Sequence, residues 1–129
     1  MEKIIVVYGA SNTGKTTVIS DTYNMLINMG AKVTKKQKFF TDSNDFEAVV
    51  ECKEKSIAIN SLGDIRYHVD EVVQKYSKYD ILITALNERF ACISADWLRK
   101  SNKICKVSKT VANDADNESA MKLIMSLIN

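Results

Sequence analysis

The tightest constraint on this chain lies near its N-terminus, where three patterns follow one another without a spacer. Ile4-Ile5-Val6-Val7-Tyr8 is an unbroken apolar run, Gly9-Ala10-Ser11-Asn12-Thr13-Gly14-Lys15-Thr16 comes next, and a helical repeat extends from Thr16 to Met29. A continuous β-branched run predicts a strand covered on both faces, as in a parallel sheet. The eight residues after it fit the spacing Gly-x4-Gly-Lys-Ser/Thr. That spacing suits a turn whose backbone N–H groups wrap a phosphate chain and whose following helix points its positive end at the anion. The plainer alternative, a glycine-bearing turn with a surface lysine, leaves the spacing unexplained. A strand, a loop and a helix in this order commit the chain to an α/β architecture.

The rest of the chain continues that alternation. Val18, Ile19, Thr22, Leu26 and Met29 recur at helical spacing and predict one buried stripe, with Gly30 placed to end the helix. Within Ala31 to Phe40 a short strand is expected around Val33, and Thr41 to Asp45 reads as a polar turn. Residues 46–51 and 56–61 are strand-like runs joined by Cys52-Lys53-Glu54-Lys55, a spacing that favours a β-hairpin over a parallel crossover. Ile65, Val69, Val72, Val73 and Tyr76 predict a helix, and Asp80 to Leu86 another buried strand. Ile93, Trp97 and Leu98 suggest a short helix. Lys103 to Ser108 alternates lysines with Ile104, Cys105 and Val107 and predicts a strand near an edge. A last helix starts at Asp114 or Asp116 and turns Ala120, Leu123, Ile124, Leu127 and Ile128 inward. The expected fold is a three-layer αβα sandwich of about five mostly parallel strands. Its first strand is central, between those at 57–61 and 80–84, and residues 46–51 pair antiparallel with 56–61.

At 129 residues the chain is expected to form one domain, residues 1–129. A net charge of +2 gives no argument for nucleic acid. No apolar run approaches the twenty or so residues of a membrane span. Met-Glu-Lys runs directly into the first strand, so no signal peptide is expected. Cys52, Cys92 and Cys105 lack paired spacing and suit free thiols in a reducing cytosol, which predicts a cytoplasmic protein. They do not cluster as zinc ligands, and His68 stands alone.

Across Ile4 to Ile19 the chain resembles the P-loop NTPase superfamily, whose Walker A motif is the loop just described. The resemblance implies a P-loop fold and a nucleoside triphosphate ligand held with Mg²⁺. By that likeness, backbone amides from Ser11 to Lys15 (with Asn12 and Thr13 between them) cradle the phosphates. Gly9 and Gly14 let the chain approach them, with Ala10 part of the same binding loop. Lys15 offsets charge on the β- and γ-phosphates, the Thr16 hydroxyl ligates Mg²⁺, and Thr17 lies near the α-phosphate. The superfamily also places an acid after an apolar strand as a metal partner. Asp64 is the candidate here, although Asn60 to Gly63 intervene, and its alternative role is to cap the helix starting at Ile65. Asp42 and Asp45 are runners-up, read chiefly as loop solubilisers.

Several features narrow the subclass. No Asn-Lys-x-Asp element accompanies the later strands, which argues against a typical GTPase. No Asp-Glu pair closes a strand, as it does in many motor ATPases. The hairpin before Asp64 points to the kinase- and GTPase-like half of the superfamily, where that strand neighbours the first. Only Arg66, Arg89 and Arg99 are present, too few for an arginine-rich lid. Arg89, Asn87 and Glu88 lie just past a strand, where a surface role outweighs a phosphate contact. Lys32, Lys35, Lys36 and Lys38 with Phe39 and Phe40 fit a solvated edge better than a nucleic-acid surface. His68 and Trp97 are read as structural. The expectation is therefore an Mg²⁺-dependent NTP-binding protein that hydrolyses the nucleotide or transfers its terminal phosphoryl group. ATP is the base-rate ligand. The alternative is a nucleotide-gated module with negligible turnover, acting on a protein or nucleic acid.

Overall fold

The computed structural model describes residues 1–91 and 95–129; Cys92 and Ile93, named above as a free thiol and the start of a helix, lie outside the described residues. The elements in chain order are β1 (Lys3–Gly9), α1 (Lys15–Asn28), β2 (Lys32–Lys38), β3 (Phe46–Cys52), β4 (Lys55–Asn60), α2 (Arg66–Lys75), β5 (Ile81–Asn87), a 3₁₀ turn (Glu88–Phe90), α3 (Asp96–Lys100), β6 (Ile104–Ser108) and α4 (Asp114–Ile128). The strands form one mixed sheet in the order β2-β3-β4-β5-β1-β6. β1 runs parallel to β5 and β6, β4 runs parallel to β5, and β2-β3-β4 is an antiparallel meander.

Helices cover both faces, as the strand composition requires. One core layer joins alternate sheet residues such as Ile5, Val7, Ile59 and Ile83 to Val18, Ile19 and Leu26 of α1 and to Ala120, Ile124 and Ile128 of α4. The other joins Ile4, Val6, Ala58 and Leu82 to Val69 and Val72 of α2, with Trp97 and Leu98 of α3 packed against it. Each fully buried Ile or Leu in these layers stabilises the fold by about 1.5–3 kcal/mol relative to exposure.

The sheet order corrects one expectation. β1 lies between β5 and β6, and β5 separates it from β4, so β1 does not neighbour the strand at 57–61. The adjacency that favoured the kinase- and GTPase-like half is therefore absent. The sheet also has six strands, because Lys32–Lys38 pairs along β3 despite its four lysines. An exposed edge strand has no apolar face to bury, so it carries little hydrophobic pattern. Two helix stripes are narrower than expected, since Met29 and Leu123 are exposed. The β3–β4 turn places Lys53 and Glu54 both at positive φ, the type I′ geometry that follows strand twist.

Pairing sets which strand ends meet. Gly9 is level with Asn87, and Asn60 with Thr84, so β1, β4 and β5 end along one rim of the sheet. β3 runs the other way and begins at that rim: the Phe46 amide donates to Ser61 Oγ at 2.9 Å and the Ser61 amide to the Phe46 carbonyl at 3.0 Å. Among the described residues, no helix is long and apolar enough to cross a membrane.

Candidate functional site

The Gly9–Thr16 loop leaves the end of β1 at this rim and enters α1. Gly14 caps α1 in the left-handed conformation, with φ 90°, a geometry that suits glycine because it has no Cβ. No side chain caps α1, and no acidic residue occupies its first turn. Its first N–H groups and the positive end of its dipole are left facing the loop's concave side. Asn12 also takes a positive φ, and the Thr13 hydroxyl braces the loop by donating to the Ala10 carbonyl at 2.8 Å.

Lys15 folds back over the loop. It is only 6% exposed, and its ammonium donates to the Ala10 carbonyl at 2.5 Å. Among the described residues no carboxylate lies within ion-pair distance of it. Burial lowers its pKa, and the fields of Asp64 and Glu88 oppose this only in part. A lysine bonded to one neutral carbonyl keeps donors for an anionic ligand. A pocket of about 350 Å³ opens here, lined by Asn12, Gly14, Lys15, Thr16, Thr17, Ser61, Asp64 and Ala112. Thus Gly14 to Thr17 and Asp64, distant in sequence, share one cavity.

Asp64 reaches the pocket because Gly63 lies flat against β5. A Cβ on Gly63 would stand 2.6 Å from the Ala85 carbonyl carbon and oxygen. The Asn87 amide donates to the Gly63 carbonyl at 3.0 Å, pinning the segment there. The Asn87 side chain donates at 2.8 Å both to Asp64 Oδ1 and to Ser11 Oγ, joining the acid to the loop. Asn87 Oδ1 accepts from the Arg89 amide, and the Arg89 guanidinium contacts the Asp64 carbonyl at 3.5 Å. α2 begins after Ile65 with no side-chain cap, so Asp64 does not serve as its cap.

Thr16 has a different acidic partner. Its hydroxyl donates to Asp45 Oδ1 at 3.1 Å, and Ser61 Oγ donates to the same oxygen at 3.0 Å. Ser43 Oγ donates to Asp45 Oδ2 at 3.3 Å and accepts from the Asp45 amide at 3.0 Å. Asp45 is therefore not a loop solubiliser, as its polar neighbours suggested. It lies immediately before β3, and an antiparallel strand begins where its neighbours end. The hairpin pattern holds that signal: reversing β3 carries residue 45 to the rim that holds the loop.

Two further groups support the loop from β6 and α4. Lys109 is almost fully buried; its ammonium pairs with Asp116 and donates to the Val111 carbonyl at 2.8 Å. Asn117 packs its amide against Gly14, and its Oδ1 is buried without a hydrogen-bond partner. Neither residue carries a motif visible in the linear sequence. His68 sits away from the pocket, with Nε2 2.9 Å from the Asn60 side-chain nitrogen and its ring edge against Phe39. Burial, followed by the Lys75 charge, lowers its pKa. Trp97 donates to the Val69 carbonyl at 2.7 Å, a structural role.

The donors around Thr16 are hydroxyl and carboxylate oxygens, the hard ligands that Mg²⁺ takes. Among the described residues no cluster of three or more His, Cys, Asp or Glu could hold a metal by itself. One hydroxyl and one or two carboxylates suit a cation that draws its remaining ligands from phosphate and water. Comparison with protein-family models, with curated proteins and with solved structures finds no match to this chain.

Proposed function

We propose that the chain is a P-loop protein that binds a nucleoside triphosphate with Mg²⁺ and hydrolyses it or transfers its terminal phosphoryl group. One observation carries the reading: the buried Lys15 ammonium, the left-handed Gly14 and the uncapped start of α1 converge on one pocket with Asp64 across it. These donors are gathered, among the described residues, without an ion-paired partner for the lysine, and they suit a polyanion.

In this reading the amides of residues 11–15 and the Lys15 ammonium hold the β- and γ-phosphate oxygens. Lys15 exchanges its bond to the Ala10 carbonyl for a phosphate oxygen and offsets charge as the terminal group departs. Bound Mg²⁺ would neutralise charge on the phosphate oxygens, and Thr16 with Asp45 and Asp64 are the residues to hold it, directly or through water. Asn87 keeps Ser11 and Asp64 in register, so the loop and the acid move together. ATP is taken as the nucleotide on base rate alone.

Steady-state phosphate release from Mg·ATP, with and without small hydroxyl-bearing acceptors, tests the reaction. Release without acceptor indicates hydrolysis, and phosphorylated acceptor indicates transfer. Tight Mg·ATP binding with neither product would replace the enzymatic reading by that of a nucleotide-gated binding module.

A further inference from the structure

A second cavity, about 290 Å³, lies on the α1 face of the β2–β3 edge and shares Thr16 and Thr17 with the first. Its walls carry Ser20 and Asp21 from α1, Lys36 and Lys38 from β2, and Asn44 from the segment before β3. Strand alternation divides the lysines of β2 between the two faces. Lys35 lies opposite Val49 and points to the α2 side, where its ammonium is 2.7 Å from Glu47. Lys36 and Lys38 lie opposite Ala48 and Phe46, on the α1 side. Among the described residues, neither ammonium has a carboxylate within 4 Å. The Lys36 ammonium instead rests over two buried rings, 4.4 Å from the centre of Tyr23 and 5.6 Å from that of Phe46. A cation held on an aromatic shelf is fixed in place while its outward donors remain available.

We infer that this cavity binds a small organic phosphomonoester that also carries a hydroxyl group. Two uncompensated ammonium groups, with the Ser20 hydroxyl and the Asn44 amide as further donors, match a dianion. Asp21 is an acceptor-only group in the same wall, and it matches a ligand that brings a hydroxyl donor along with its charge. A bare anion satisfies the lysines but meets Asp21 with repulsion. The shared wall of Thr16 and Thr17 sets the ligand beside the site proposed for the triphosphate. The inference goes beyond the nucleotide reading and stands without it.

The test is a titration of ¹⁵N-labelled protein with glycerol 3-phosphate, inorganic phosphate and glycerol, following backbone amide shifts. The expected result is saturable shifts at Ser20, Asp21, Lys36, Lys38 and Asn44 with glycerol 3-phosphate, and none with glycerol. Affinity should fall at least tenfold in Lys36→Gln/Lys38→Gln and persist in Lys36→Arg/Lys38→Arg. Lys38→Gln alone, at an exposed position, serves if the double variant loses spectral dispersion. Lys15→Ala should leave this binding unchanged while it removes nucleotide binding, so the two readings fail separately. Asp21→Asn should narrow the preference for glycerol 3-phosphate over inorganic phosphate. Shifts confined to residues 9–16, or equal affinity in the lysine-to-glutamine variants, would overturn the site. Equal affinity for inorganic phosphate in the wild type would overturn its assignment to an organic ester.

Discussion

Thr16 has one hydroxyl hydrogen, and Asp45 accepts it. That bond places a carboxylate beside the hydroxyl proposed to hold Mg²⁺, with Ser61 donating to the same oxygen. Asp45→Asn keeps the shape and removes the charge. It should weaken Mg·ATP binding by about tenfold, or ~1.4 kcal/mol, and leave metal-free ATP binding unchanged or slightly tighter. Equal losses with and without Mg²⁺ in parallel titrations would remove Asp45 from the proposed metal site. A second carboxylate concerns stability alone. Glu47 is 1% exposed; burial by itself would raise its pKa, but bonds from Lys35, Lys75 and Tyr76 outweigh this and bring it to about 2. A carboxyl whose folded pKa lies below its unfolded value stabilises the fold above the unfolded pKa and loses that contribution on acidification. Chemical denaturation from pH 7 to 2 should therefore show stability falling from about pH 4.5 downward. The loss should be of order 2–3 kcal/mol, given that the half-exposed lysines are partly screened. Glu47→Gln should be less stable at pH 7 and flatter across that window. A profile as steep as the wild type's would assign the acid loss to other groups.

At the scale of elements, the site is an assembly of strand ends, and its legibility follows from how local each signal is. The β1–loop–α1 unit is read directly, because an apolar run, a fixed glycine spacing and a helical repeat are contiguous. Asp64 is also visible, since an acid follows an apolar strand, but its partner is not. The bonds from Asn87 to Asp64 and Ser11 require β5 to lie between β4 and β1, which depends on sheet order and not on local pattern. Asp45 is hidden for the same reason: after Asp42, Ser43 and Asn44 it looks solvated, and only the reversal of β3 brings it to the loop. Gly63 marks the joint between these elements. Gly63→Ala would press a methyl group onto the β5 backbone and should destabilise the protein by ~2–3 kcal/mol in urea unfolding. It should also displace Asp64 from the pocket. Unchanged stability would mean that the segment carrying Asp64 is free to move off β5.

At the scale of the whole molecule, the sheet divides into two parts with different tasks. β1, β5 and β6 form a parallel unit that carries the loop, with α4 and the ion pair between buried Lys109 and part-exposed Asp116 holding the far side. β2, β3 and β4 form a meander that delivers Asp45, Ser61 and Asp64 to the same rim and builds the cavity beside it. α/β sheets bind ligands beyond the carboxyl ends of their parallel strands, and both cavities described here adjoin that rim. In the proposed function this rim holds a triphosphate through Lys15. Isothermal titration calorimetry of the wild type and of Lys15→Ala with Mg·ATP and Mg·GTP tests it most directly. Saturable binding of at least one nucleotide to the wild type is expected, with a loss of tenfold or more in Lys15→Ala. Equal affinities for the two proteins, or no binding of either nucleotide to the wild type, would contradict it.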